Sequence, residues 1–178
     1  MKFGLVAGEA SGDLLGAGLI RAVRERLPDA TFEGVAGPNM VEAGCDAWAD
    51  AEELAVMGLI EPLAHIPRLL KLRRSLASRW IASPPDVFVG IDAPDFNLGL
   101  EKKLRKAGIR TAHYVSPSIW AWRARRGKKV KKAADLVLCI LPFEPPLYEA
   151  LGVLAVFVGH PKASAAPNTV DTAAARAA

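Results

Sequence analysis

Five short apolar runs and one weaker one, separated by segments with helical spacing, predict a doubly wound parallel α/β sheet. The runs are Phe3–Ala7, Val87–Ile91, Thr111–Val115, Leu136–Leu141 and Leu154–Val158, with the weaker one at Thr31–Ala36. Runs this short and this uniformly apolar suit strands covered on both faces. Between them, Leu14, Leu15, Ala17, Gly18 and Ala22 follow the first run, Phe96, Leu98, Leu100 and Leu104 follow the run that ends at Ile91, and Val130, Ala133 and Ala134 precede Leu136, each at helical intervals. Strand, helix, strand repeats of this kind build parallel sheets, and the ligand site of such a sheet lies beyond the carboxyl ends of its strands.

The composition agrees. The chain has 178 residues, 51% hydrophobic and 24% charged, enough for one core that buries roughly 70% of the unfolded surface without a staple. Residues 1–161 are expected to form the domain. Residues 162–178, in which the alternation stops and Ala dominates, are expected to be a disordered or partly helical tail. Cys45 and Cys139 lack metal-ligand spacing and fit a reducing, cytoplasmic setting. The first residues carry no signal-peptide h-region, and the longest apolar run, Leu136–Leu141, is far below the ~18 residues of a spanning helix. The net charge of +4 suits a nucleotide, a phosphorylated sugar, nucleic acid or a lipid surface equally.

Taken in order, the first run ends in Gly8-Glu9-Ala10-Ser11-Gly12-Asp13. Ser11 is expected to cap the next helix, and Gly8 and Gly12 permit tight backbone geometry. The G-x-G-x-x-G spacing of a dinucleotide loop is absent, and Glu9 and Asp13 would repel a pyrophosphate. Such carboxylates are suited to sugar hydroxyls or amides, although Asp13 taken alone is equally well explained by the helix dipole.

The segment from Pro67 to Trp80 sets Leu69, Leu70, Leu72, Leu76 and Trp80 among Arg68, Lys71, Arg73, Arg74 and Arg79. Pro67 suits the first turn of a helix. Its leucines face the core by default, with Arg68, Leu69, Leu72 and Arg73 the candidates for contact with a membrane interface.

The most chemical segment is Val89–Asn97, VGIDAPDFN. An apolar strand delivers Asp92 to its carboxyl end, Pro94 fixes the entry to a helix, and Asp95 is expected to cap it. That leaves Asp92 without a structural task, and a strand-end carboxylate between apolar walls suits general-base work. The rival reading of Asp92 is a turn-stabilising Asp or a second cap.

The next strand runs into Ser116, Trp120 and Trp122, a stiff wall with polar edges suited to a flat sugar or an acyl chain, or in part to plugging the core. His113 is read as packing within its strand. From Arg123 to Lys132 seven of ten residues are basic. This is either a solvated helix face or a place for a substrate phosphate or anionic lipid. The histidines are scattered and no Asp-x-Asp pair appears, so neither a metal nor a cofactor is expected.

In order along the chain, LVAGEASGDLLGAGLIRA, GVAGPNM, ELAVMGLIE, PDVFVGIDAPDFN, HYVSPSIWAWR and VGHP resemble the bacterial lipid-A-disaccharide synthase family, over about Phe3 to Pro161. The resemblance implies the Rossmann-like amino-terminal half of a GT-B glycosyltransferase. It implies inverting, metal-free transfer from UDP-2,3-diacylglucosamine to 2,3-diacylglucosamine 1-phosphate in lipid A biosynthesis. It places the catalytic Asp on Asp92 and the family's polar first-loop residues on Glu9, Ser11 and Asp13; together with Gly8, Gly12, Asn97, Ser116, Trp120 and Trp122 these are the expected substrate contacts. Because both substrates are acylated, a cytoplasmic enzyme resting on the inner face of the inner membrane is implied. The family's second α/β domain carries the UDP pocket, so these residues alone are expected to show negligible transfer, with a homodimer or a second domain in trans as ways to complete the site. A nucleic-acid-binding module or a non-catalytic lipid-surface module remain as alternatives. The acidic residues Glu9, Asp13, Asp92 and Asp95 oppose a phosphate backbone, so nucleic acid is not expected as a partner.

Overall fold

A computed structural model describes residues 1–54, 62–119, 124–161 and residue 163. The chain order is β1 (Lys2–Ala7), α1 (Ala10–Arg26), β2 (Thr31–Ala36), α2 (Pro38–Glu42), β3 (Cys45–Asp50), α3 (Pro62–Ala82), β4 (Val87–Ile91), α4 (Pro94–Lys106), β5 (Arg110–Tyr114), α5 (Ala124–Ala133), β6 (Leu136–Cys139), α6 (Pro145–Glu149) and β7 (Leu154–Phe157). The strands form one 7-stranded sheet in the order β3-β2-β1-β4-β5-β6-β7, with every pairing parallel. The order reverses between β1 and β4, and this switch point is where such sheets bind ligands.

All six apolar runs are strands. β3 is the one that sequence periodicity misses: it is an edge strand in which Cys45 alone is buried, so no apolar run marks it. β7 is also at an edge, and only Ala155 of its four residues is buried. The expectation of cover on both faces is therefore corrected there, since a strand with one neighbour exposes Leu154, Val156 and Phe157.

Alternation along the strands divides the core. Leu5, Ala7 and Ile91 pack with Ile20 of α1 and Met40 of α2 on one face, whereas Val6, Val35 and Phe88 pack with Trp80 of α3 and Leu100 and Leu104 of α4 on the other. Trp80 is fully buried and donates from Nε1 to Glu33 Oε1 at 3.0 Å. Two strand glycines make room for it: a Cβ at Gly4 would lie 2.9 Å from the indole, and one at Gly34 would meet both the indole and the Leu5 carbonyl. Truncating such a buried aromatic costs about 3–5 kcal/mol. Pro67 is not in the first turn as expected but inside α3, which starts at Pro62. It therefore removes an interior helix hydrogen bond.

Cys45 and Cys139 are free and buried. Burial pushes both thiols up to about 12, helped by nearby Asp46 for Cys45 and Glu144 for Cys139. Iodoacetamide at pH 8 is expected to leave both intact in the folded protein and to alkylate both after urea unfolding; rapid native alkylation would contradict the packing. The same shift gives the sign of the alkaline limb. Between the ordinary thiol range and about 12 the folded thiols keep protons that unfolded thiols release, so these two groups make stability fall as pH rises through that window.

Candidate functional site

At the switch point, the segments after β1 and β4 face each other across a cleft of about 520 Å³. Gly8 and Glu9 form one wall and Asp92, Ala93, Pro94 and Asp95 the other. Ile66, Leu69, Leu70 and Arg73 of α3 close it with an apolar and cationic side. The two loops approach so closely that a Cβ on Gly8 would stand 2.5 Å from that of Ala93, which is why glycine is needed there.

Asp92 sits in an unusual backbone. Asp92 has φ 51° and Ala93 φ 42°, two successive left-handed residues, each costing on the order of 1–3 kcal/mol unless the surroundings hold it. The hold comes from below. The Asp92 amide donates to the Tyr114 carbonyl at 2.8 Å. The fully buried Asn97 side chain donates from Nδ2 to the carbonyls of Asp92 at 2.8 Å and of Ile91 and Val6 at 3.3 Å. The Asp92 carboxylate itself, half-buried, takes no hydrogen bond or ion pair from any described residue, so it is free to accept a proton from a ligand.

Three expected roles change. The helix-capping position of α4 falls on Ala93, before Pro94, and Asp95 lies two residues too late to cap. Asp95 is instead 92% exposed and 3.9 Å from Arg126. Glu9 rather than Ser11 occupies the capping position of α1, and it makes no side-chain cap. Its exposed carboxylate lines the cleft, while Ser11 does not. Asp13, expected to meet substrate, turns inward: its two oxygens accept from the backbone amides of Gly37, Asn39 and Met40 and from Asn39 Nδ2, at 2.8–3.0 Å. It anchors the start of α2, so its carboxylate is occupied.

The remaining expected residues divide the same way. Gly12 packs beside Ala7 and Ile91 under the loop. Asn97 acts on the backbone of Asp92 and does not line the cleft. Ser116, an expected substrate contact, is buried and shares a 2.9 Å hydrogen bond with the Tyr148 hydroxyl. Trp120 and Trp122 lie outside the described residues. Of the four lipid candidates, Leu69 and Arg73 line the cleft, Leu72 packs half-buried on the core, and Arg68 is exposed and paired with Glu53 at 3.0 Å.

Sequence reasoning missed the polar layer under the loop. His113 Nδ1 lies 2.6 Å from Glu101 Oε1, with both side chains fully buried. Asn97 Oδ1, Glu101 Oε2 and His113 Nε2 have no partner among the described residues. Gly90 makes this layer possible, since a Cβ there would strike Glu101 and Asn97. The available signal was Asn97 and Glu101 on the otherwise apolar face of α4. Among the described residues no group of three His, Cys, Asp or Glu is placed to hold a metal, and no helix is long and apolar enough to cross a membrane.

Sheet order and the cleft at its switch point together define a doubly wound, Rossmann-like α/β domain. The fold is shared with the crystal structure of Acinetobacter baumannii MurG, with a TM-score of 0.51 at 14% identity over 79% of this chain and 41% of that one. A family model described as lipid-A-disaccharide synthetase matches residues 3–178, and the chain belongs to that family. It is 60% identical over 176 residues to the lipid-A-disaccharide synthase of Xanthomonas campestris pv. campestris (strain 8004), covering 99% of this chain and 40% of the relative. It is 58% identical over 177 residues to that of Pectobacterium carotovorum subsp. carotovorum (strain PC1), covering 99% and 46%. The chain thus spans less than half the length of these curated relatives.

Proposed function

We propose that these residues form the acceptor side of a lipid-A-disaccharide synthase, with Asp92 as the general base. The observation that carries this reading is the Asp92 carboxylate: held at the switch point by a fixed backbone, without a partner among the described residues, and facing a cleft with an apolar wall. The acceptor is 2,3-diacylglucosamine 1-phosphate and the donor UDP-2,3-diacylglucosamine. As the acceptor's 6-hydroxyl oxygen attacks the donor's anomeric carbon, an Asp92 oxygen takes its proton. The bond from that carbon to the UDP oxygen breaks on the opposite face, so the centre inverts and UDP leaves. The apolar side formed by Ile66, Leu69 and Leu70 suits the start of an acyl chain. Ile66 and Arg68 are exposed on the same helix, which supports a peripheral position on the inner face of the inner membrane, where the acylated substrates reside. Donor binding falls to a second domain, in the same polypeptide or in trans, corresponding to the length of the relatives that this chain does not span.

The test is a chimera in which residues 1–161 replace the matching segment of the Xanthomonas campestris relative. It is expected to form the disaccharide and release UDP, whereas the 178-residue chain alone gives negligible product. A folded chimera without transfer would sink the proposal, and robust transfer by the 178-residue chain alone would sink the need for a second domain.

A further inference from the structure

The carboxylate cleft shares a ridge with a second cavity of about 390 Å³, which opens between α4 and α5 on the other side of Pro94 and Asp95. Six cations from three helices converge on it: Arg73 from α3, Lys102 from α4, and Arg126, Lys128, Lys129 and Lys132 from α5. Asp95 is the one carboxylate in this wall, and it is the partner of Arg126. None of the other five cations is ion-paired with a described residue. A solvated helix explains charges spread around α5, but it does not explain their meeting Arg73 and Lys102 in a concavity, where like charges repel unless an anion sits among them. Gly99 adds a second sign of a shaped site. A Cβ there would collide with the Arg73 guanidinium, so the absence of a side chain is what lets Arg73 lie across α4, in the wall of both cavities.

We propose that this cavity binds a phosphate monoester, and, resting on the acceptor-side reading above, that it holds the anomeric phosphate of the acceptor while the 6-hydroxyl of the same sugar meets Asp92. Arg73, Pro94 and Asp95 border both cavities, so a ligand that reaches across this ridge touches both. A hexose 1-phosphate carries its phosphate and its 6-hydroxyl one sugar ring apart, on either side of the ring oxygen. Arg73 and Arg126 are half-buried in this concavity while Lys102, Lys128, Lys129 and Lys132 are exposed around it, so a single phosphate can be met from three helices at once.

The test is titration of the isotope-labelled chain with glucosamine 1-phosphate, followed by amide chemical shifts. Shifts are expected around Lys102 and Lys129, with affinity about tenfold weaker in Lys102→Gln or Lys129→Gln, the loss of one charge-assisted hydrogen bond. Lys106→Gln, on exposed helix surface outside the cavity, is expected to bind normally, and N-acetylglucosamine to give no shifts there. Gly99→Ala is expected to weaken binding by displacing Arg73. Unchanged affinity in both Gln variants would overturn the site. So would a response to phosphatidylglycerol vesicles with none to the sugar phosphate, which would make the patch a membrane contact. In the chimera the same Gln variants should raise KM for the acceptor with little change in kcat. Normal KM values in an active chimera would remove the phosphate site and leave the transferase reading. A folded but inactive chimera, with phosphate binding intact in the chain, would remove the transferase reading and leave the site.

Discussion

Changing Asp92 to Asn in the chimera is expected to lower kcat by about 10²- to 10⁴-fold, the span by which a positioned base contributes, while leaving the thermal midpoint and the acceptor KM close to those of the parent. The separation of these effects follows from the local structure. Asn is nearly isosteric and, like Asp, tolerates the left-handed backbone at φ 51°. The carboxylate has no described partner that the change would orphan, so the fold has no reason to respond. Only the ability to accept a proton is lost. A kcat within a few-fold of the parent would remove Asp92 from the proton transfer, and a large fall in thermal stability would mean that its carboxylate has a structural task after all.

The second large effect is on stability. Asn97→Ala is expected to destabilise the chain by about 2–4 kcal/mol in urea unfolding, because it removes the donor shared by three carbonyls and with it the contacts that offset the costly left-handed backbone of Asp92 and Ala93. Asn97→Asp should be at least as damaging, since it points an acceptor at the carbonyls of Val6, Ile91 and Asp92. A loss below about 0.5 kcal/mol, the usual range for surface changes, would mean that the loop keeps its shape without the amide.

Which parts of this arrangement can be read from the sequence depends on how local their causes are. The runs at β1, β2 and β4–β7 are visible because parallel pairing leaves most of their residues facing packed layers, whereas β3, exposed on one side, presents no such pattern. Pro94 was readable as a helix start because its ring fixes the backbone wherever it occurs. Asp95 was misread as a cap for a related reason: the capping residue must precede the proline, so the position belongs to Ala93. The proposal for Asp92 therefore rests on a carboxylate that has no partner among the described residues. Asp13 and Ser116 were not legible, because their partners lie 24 to 32 residues away in sequence and only the folded sheet brings them near.

The three carbonyls bound by Asn97 belong to different parts of the sheet: Val6 lies in β1, Ile91 in β4, and Asp92 in the loop beyond. β1 carries β2 and β3 on one side, and β4 carries β5, β6 and β7 on the other. A single amide thus ties the loop to the ends of the two central strands, which already pair with each other from Phe3–Val87 to Ala7–Ile91. In hydrogen-exchange terms the Asp92 loop should belong to the most cooperative foldon of the chain, unlike a ligand loop that frays by itself. The Asp92 carboxylate then reaches its place only once the central strands are paired, so the shape of the loop and the completion of the fold become one event.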